Sequence, residues 1–222
     1  AGQTPSPEEV LKSLDAAEKE AAGTLQTATL EQSLAATLRK LWSKEAAGED
    51  RSSLVVDALA RARDLASRIG DDSNLALDPD LDTYYLQDTV VRQMPRLLGQ
   101  IGETQTSLGA PSDAALSSDD KARLVALDAM TRATTEEIER NLTSAYRGNA
   151  DGQLRQKIEG DVTKMLSSIA SYFRAPDESA SEPTGFESRD RLYQATVNNA
   201  VPAWPVSQAE LKRLLNKRID NL

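Results

Sequence analysis

The chain has 222 residues, enough for one sizeable domain or two small ones that bury a core unaided. Hydrophobic residues make up 39% of it and charged residues 27%, and the low aromatic content of 4% favours helices packed through Leu, Ala and Ile. The net charge of -9 repels phosphate backbones, so nucleic acid is not expected as a partner.

The sequence contains neither cysteine nor histidine. This absence excludes thiol catalysis, disulfides, haem ligation through histidine, most zinc sites and every Ser-His-Asp mechanism. The chain also has no glycine loop that could cradle a phosphate and no convincing pair of catalytic carboxylates. The sequence therefore predicts no enzyme, no metal site and no cofactor for this chain.

The first predicted helix begins at a capping box. Ser6 is the N-cap, Pro7 is the first helical residue and Glu9 follows the cap by three positions. Apolar residues then recur at steps of three and four up to Trp42. If it is unbroken, this helix is about 60 Å long at ~1.5 Å per residue, which favours an elongated bundle.

A second helix is predicted from about Ser52 to Leu77, and a third begins near Asp80. The third helix carries an apolar stripe with a seven-residue repeat, typical of the seams of helical bundles. The stripe consists of Tyr84, Gln87, Val91, Met94, Leu98, Ile101 and Leu108. Pro95 is expected to kink this helix slightly.

A fourth helix is predicted after the cap at Ser117. At residues 148–152 two alternatives remain open: the chain turns at the glycines, or one long helix exchanges its packing partners there. Two final segments are expected around Arg189 to Asn199 and Ser207 to Leu222, with Pro202 and Pro205 between them. The sequence thus predicts an all-α, elongated, up-down antiparallel bundle of about six helical segments, forming a single domain over residues 1–222.

Residues 73–88, SNLALDPDLDTYYLQD, contain three aspartates at alternate positions, as at the start of an EF-hand loop. Such a loop needs glycine at its sixth position and glutamate at its twelfth, where this chain has Thr83 and Thr89. The sequence therefore does not predict a calcium loop.

The same aspartates fit a turn between two helices. Asp78 would cap the third helix, with Pro79 at its first position, and Asp80 and Asp82 would favour the positive end of its dipole. These four residues are interpreted as structural.

A polar layer is predicted one helical turn further along. In an antiparallel hairpin that turns near Pro79, Asp72 and Ser73 lie level with residues 85–87. The candidate ligand-binding residues of this layer are Asp72, Ser73, Asn74, Tyr84, Gln87 and Arg92, joined by Thr131 and Thr134 of the fourth helix. Buried polar groups need partners, so the layer is either an internal hydrogen-bond network or the wall of a small pocket.

Residues 71–110 resemble a segment that recurs in the extracytoplasmic sensor regions of bacterial transmembrane receptors. Its pattern is S-x-L-x-LDP-x-x-D-[ST]-YYL, followed by a proline about ten residues on. The matching residues are Ser73, Leu75, Leu77, Asp78, Pro79, Asp82, Thr83, Tyr84, Tyr85, Leu86 and Pro95. Gln87 departs from the apolar residue expected after YYL. The C-terminal AELKRLLNKRIDNL is similar to the helix that enters the second membrane span of these receptors.

The resemblance implies a helical, periplasmic input domain between two membrane spans, excised from a sensor histidine kinase or a methyl-accepting chemotaxis protein. It allows two stacked four-helix modules, a membrane-distal one at residues 50–145 and a membrane-proximal one at residues 1–49 plus 150–222. The implied partners are an unknown small-molecule ligand or a periplasmic binding protein, and a second copy in a homodimer. The alternative is a structural or partner-binding bundle without a small-molecule ligand.

Overall fold

The computed structural model describes residues 5–43, 49–73, 80–108, 117–174 and 183–220. Every regular element among them is a helix, which confirms the all-α prediction. By their internal contacts the residues divide into an N-terminal unit, residues 1–76, and a C-terminal unit, residues 77–222. This division falls at a different place from the two modules expected above, and the modules stay a prediction.

The N-terminal unit contains three helices. They are α1 (Pro7–Ala21), α2 (Ala28–Leu41) and α3 (Glu49–Asp72). The expected capping box is present, because the Glu9 N–H donates to Ser6 Oγ at 3.2 Å and the Ser6 N–H donates to Glu9 Oε2 at 2.7 Å. The condition of an unbroken first helix is not met, because the chain turns between α1 and α2, where Gly23 has a φ of 84°. Glycine adopts this left-handed conformation without the steric cost of a Cβ.

The core of the N-terminal unit is small. Its buried apolar residues among those described are Leu34, Ala35, Leu41 and Ala58, all from α2 and α3. A hydrogen bond from Thr37 Oγ1 to Asp57 Oδ2, 3.1 Å long, also joins these two helices. None of the residues of α1 is buried, so α1 adds no buried side chain to this core.

The C-terminal unit is a four-helix, up-down-up-down bundle. Its elements are α4 (Leu81–Asp88), a π-helical turn (Thr89–Gln93), α5 (Met94–Leu108), α6 (Ser118–Gly148), α7 (Gln153–Arg174) and α8 (Pro183–Ile219). The π-turn joins α4 and α5 into one continuous helix, which packs against α6, while α7 packs against α8. Of the two alternatives for residues 148–152, the structure shows the turn, with Gly152 at a φ of 65°.

The core of the C-terminal unit runs through all four helices of the bundle. Its fully buried members include Leu86, Leu97, Ile138, Leu154, Ile158 and Ala203. Along α4 and the π-turn the buried face follows Thr83, Leu86 and Val90, so Tyr84 falls outside it and is 41% exposed. Placing Tyr84 on the buried seam was therefore wrong.

The last helix runs through both of its prolines. α8 is continuous for 37 residues, so the predicted interruption at Pro202 and Pro205 is wrong. A proline inside a helix removes one backbone hydrogen bond and costs ~3 kcal/mol. Here Ala200 and Ala203 lie buried among the other helices of the unit, and this tertiary packing offsets the local cost.

Candidate functional site

The predicted polar layer draws on both units. In the N-terminal unit, the Asp72 carboxylate accepts hydrogen bonds from the Gln26 backbone N–H at 2.8 Å and from Arg68 Nε at 3.0 Å. Ser73 Oγ donates to the Gly70 carbonyl at 3.0 Å. Asp72 thus fastens the end of α3 to the turn between α1 and α2. A layer that joins Asp72 and Ser73 to residues of the C-terminal unit stays a prediction.

Three of the singled-out residues, Asn74, Asp78 and Pro79, lie outside the described residues. Asp80 occupies the N-cap position of α4, but its side chain accepts no capping hydrogen bond, and Oδ2 lies 3.1 Å from Arg218 Nη1.

Asp82, in the first turn of α4, joins two parts of the C-terminal unit. Its Oδ1 accepts a hydrogen bond from the Thr83 N–H at 2.8 Å, and its Oδ2 accepts one from Asn149 Nδ2 at 2.9 Å. The Asn149 side chain also accepts a hydrogen bond from the Leu154 N–H at 3.1 Å. Asp82 therefore ties the start of α4 to the turn between α6 and α7.

The remaining candidates belong to the C-terminal unit but do not form one layer. Gln87, Thr131 and Thr134 are all buried, and Arg92 lies on the exposed side of the π-turn. The hydrogen bond from Asn141 Nδ2 to Asp88 Oδ2, 2.7 Å long, sets the register of α4 against α6. Thr131 is ten residues from Asn141, or ~15 Å along the helix. The structure therefore separates Gln87 from Thr131 by more than two helical turns.

Thr131 instead lies about level with Gln100 of α5. Both side chains are almost completely buried, at 1% and 2% exposure. Thr131 Oγ1 and Gln100 Oε1 have no hydrogen-bond partner among the described residues. Buried polar atoms nearly always have one, so this level of the bundle differs from an ordinary core.

The same level continues on α7 and α8, because the Tyr172 hydroxyl donates to Gln105 Oε1 at 3.0 Å and so places Ser168, four residues earlier on α7, about level with residue 101. Thr196 Oγ1 donates to the Leu192 carbonyl of its own helix at 2.8 Å and also lies 3.2 Å from the Ser168 carbonyl. Asn199 Nδ2 donates to Ser168 Oγ at 2.6 Å. We call the four residues Gln100, Thr131, Ser168 and Thr196 the mid-bundle polar layer. Each comes from a different helix of the bundle.

A cleft of about 280 Å³ opens beside this layer, between α6 and α7. It is lined by Thr131, Arg132, Thr135 and Glu139 of α6 and by Leu166, Ile169, Ala170 and Phe173 of α7. Its size is near the lower end of the range for small-molecule sites. The lining combines apolar side chains with two hydroxyl groups and two charged groups, Arg132 and Glu139. Thr135 Oγ1 donates to the Arg132 carbonyl and Thr131 Oγ1 has no partner among the described residues, so neither hydroxyl is paired with a base. Within the described ranges, no group of acidic side chains could hold a metal ion.

The polar layer was only partly visible in the sequence. Thr131 was found because it is polar where an apolar residue is expected on the inward face of the fourth helix. Gln100 gives the same signal, since it follows the buried Leu97 by three positions, but it was missed. The hydrogen bond from Asn141 Nδ2 to Asp88 Oδ2 was also missed, because partners 53 residues apart share no local pattern.

Charged residues are paired at the end of the bundle where α8 finishes. Asp151 Oδ2 lies 2.9 Å from Lys217 Nζ and 3.7 Å from Arg213 Nη1. The hydrogen bond from Lys217, with a second from the Gln153 N–H, lowers the pKa of Asp151. The start of α4 lies at this same end, as the contact between Asp80 and Arg218 shows.

Comparison of the chain with protein-family models, with curated proteins and with solved structures gives no match. None of the helices in the described part of the chain combines the length and the apolar character needed to cross a membrane.

Proposed function

We propose that this chain is the extracytoplasmic signal-input domain of a bacterial transmembrane receptor, with a sensor histidine kinase as the first expectation. The sequence resemblance of residues 71–110 supports this proposal. The structural observation that carries it is the C-terminal unit, a four-helix bundle with an incompletely partnered polar layer at mid-height. The start of α4, which the chain enters from the N-terminal unit, and the end of α8 lie on the same side of this unit.

This arrangement suits an input domain for a physical reason. Packed helices have discrete arrangements and do not deform continuously, so a small change in the core appears as a shift of whole helices. A molecule bound at the mid-bundle polar layer would change how α5 and α6 pack against α7 and α8. The shift would reach the end of α8, which leads toward the second membrane span in this proposal, and the start of α4 beside it.

In this proposal the domain lies in the periplasm and responds to a small molecule or to a periplasmic binding protein, within a homodimeric receptor. A chemoreceptor would use the same input domain with another output. The proposal requires an apolar span of about 20 residues on each side of the domain in the full-length protein. A full-length protein without these spans contradicts it.

A second candidate is a structural bundle that binds no small molecule. The hydrogen bond from Asn199 Nδ2 to Ser168 Oγ favours it, because a satisfied contact between two helices fixes the register of α7 against α8 without any ligand.

A thermal-shift screen against amino acids, organic acids and polyamines separates the two candidates. A ligand present at one hundred times its dissociation constant adds ~2.7 kcal/mol to the free energy of unfolding, which is readily measured. We expect at least one class to raise the melting temperature. A screen of all three classes without a shift favours the structural bundle.

Two variants locate the site once a ligand is found. Thr131→Val keeps the shape of the side chain and removes a buried, unpartnered hydroxyl, so we expect it to raise the free energy of unfolding by about 1 kcal/mol and to abolish the ligand-induced shift. Gln87→Leu lies more than two turns away and is expected to keep the shift. The opposite result, a shift lost only in Gln87→Leu, would place the site in the layer predicted from the sequence.

A further inference from the structure

We propose that the π-turn and Trp204 form a hydrogen-bonded link through which α8 and the continuous α4–α5 helix move together. The signalling role of this link rests on the proposed function, whereas its existence does not. We call the contact between the Val90 carbonyl and the Trp204 indole the Trp204 link.

The link begins with a backbone carbonyl that the helix cannot satisfy. In the π-turn the Met94 N–H donates to the Thr89 carbonyl, five residues back, in place of the Val90 carbonyl four residues back. The next donor in this pattern, which would bond to the Val90 carbonyl, is residue 95. That residue is proline and has no N–H. The π-turn and Pro95 together leave the Val90 carbonyl without a donor from its own helix.

Trp204 supplies the missing donor. The indole Nε1–H of this α8 residue donates to the Val90 carbonyl at 3.1 Å. Val90 is 3% exposed, so water does not compete freely for this carbonyl. Leaving a buried carbonyl unpaired costs about 1–3 kcal/mol, which makes Trp204 a positioning residue and more than a space-filling side chain.

The π-turn is also fastened to the rest of its own helix and to α6. Thr89 Oγ1 donates to the Tyr85 carbonyl at 2.8 Å. The Asp88 carboxylate accepts hydrogen bonds from Gln93 Nε2 at 2.9 Å and from Asn141 Nδ2 at 2.7 Å. A displacement of Val90 by Trp204 would therefore move the whole hydrogen-bonded π-turn, and through the bond between Asp88 and Asn141 it would reach α6 as well.

The geometry of a hydrogen bond makes the link sensitive to small movements. A slide of α8 by one residue is ~1.5 Å along its axis. Such a slide would lengthen the distance of 3.1 Å between Trp204 Nε1 and the Val90 oxygen beyond the range of a hydrogen bond, unless the α4–α5 helix follows. Either the two helices move together or the carbonyl loses its donor.

A double-mutant cycle tests the link in the complete chain. Trp204→Phe keeps an aromatic ring but removes the donor, so we expect the opening constant of the amides of Met94 and residues 96–98 in hydrogen exchange to rise about five- to hundredfold. Pro95→Ala supplies a new N–H, so that the Val90 carbonyl gains a donor whether the π-turn persists or relaxes to an α-helix. In the Pro95→Ala background, Trp204→Phe should therefore raise the opening constant far less.

Trp42→Phe is the matched control. Trp42 is a half-buried tryptophan of the N-terminal unit, and its replacement should leave the exchange of Met94 and residues 96–98 unchanged. If Trp204→Phe raises the opening constant equally with and without Pro95, the link is overturned, because the indole then acts through packing alone.

The joint movement has its own readout. The chain has no cysteine, so nitroxide labels placed through Arg96→Cys on α5 and Val201→Cys on α8, both exposed positions, report one distance. We expect Trp204→Phe to broaden or shift this distance distribution, and Trp42→Phe to leave it unchanged. An unchanged distribution in Trp204→Phe overturns the coupling of the two helices. If the thermal-shift screen finds no ligand while these experiments show an intact link, the result counts against the proposed function and not against the link.

Discussion

At the scale of single residues, the N-terminal unit contains a carboxylate in an unfavourable place. Glu31 of α2 is only 9% exposed. Burial raises its pKa, and the negative charges of Glu18 and Asp15 on α1 raise it further, while Arg39 acts in the opposite direction. The charged form of Glu31 is therefore less stable in the folded state than in the unfolded chain.

We predict that Glu31→Gln stabilises the N-terminal unit at neutral pH. A carboxyl group whose pKa is raised by folding favours the folded state below its unfolded pKa, and this contribution is lost as the pH rises through the folded pKa. The variant should thus gain free energy of unfolding at pH 7 and little at pH 4. Urea titrations at the two pH values measure the difference.

Glu20→Gln on the exposed side of α1 is the matched control, since it removes the same charge without the burial. Equal gains in the two variants would mean that net charge, and not the burial of Glu31, sets the effect.

Single residues also show how far the sequence could lead to the site. Thr131 and Thr134 could be assigned to the inward face because an apolar period of three and four residues runs through the fourth helix. The Trp204 link could not be predicted, since it depends on which backbone donor Met94 uses, and that depends on the π-turn. Pro95 shows in the sequence that a carbonyl of the preceding turn lacks a donor, but only the π-turn makes this the Val90 carbonyl, five residues back, and not the Val91 carbonyl, four residues back.

At the scale of elements, the end of α6 packs closely on the start of α4. A Cβ on Gly148 would lie 2.8 Å from Leu81 Cβ and 3.0 Å from the backbone nitrogen of Asp82. The second contact is with backbone, which cannot move aside as the end of a side chain can. A glycine at this position thus allows a close approach that no other residue does.

We predict that Gly148→Ala lowers the free energy of unfolding even though alanine is the better helix former. Gly160→Ala in α7 is the matched control, because a Cβ there meets no atom within 4 Å. In the control the free energy of unfolding should rise by ~0.5–1 kcal/mol from helix propensity alone. Thermal and denaturant unfolding of both variants measure the pair. A gain in Gly148→Ala equal to that of the control would show that α4 shifts to make room at no cost.

The helix boundaries were predictable where local chemistry determines them. The serine caps at Ser6 and Ser117 were predicted, and both form complete capping boxes. The turn at Gly23 was missed because a lone glycine in a helical pattern costs only ~1 kcal/mol and often stays helical. The continuation of α8 through Pro202 was missed for the opposite reason, since tertiary packing overrides a strong local signal.

At the scale of the whole molecule, the two units differ in how much they bury. The helices of the C-terminal unit share a core whose members Leu154 and Ile158 on α7 are 0% exposed. In the N-terminal unit α1 has no buried residue. Local stability follows buried contact, so the two units should open with different free energies.

We predict that in native-state hydrogen exchange the amides of α1, Pro7–Ala21, exchange much faster than those of α7, Gln153–Arg174, since α1 can open without exposing a core. Ser6→Ala should accelerate the exchange of the α1 amides further, because losing this cap costs about 1 kcal/mol, or roughly fivefold in the opening constant. Ser117→Ala removes the equivalent cap from α6 and should leave α1 unaffected. Equal protection of α1 and α7 would contradict the prediction, since it would require α1 to open only when the core of the C-terminal unit does.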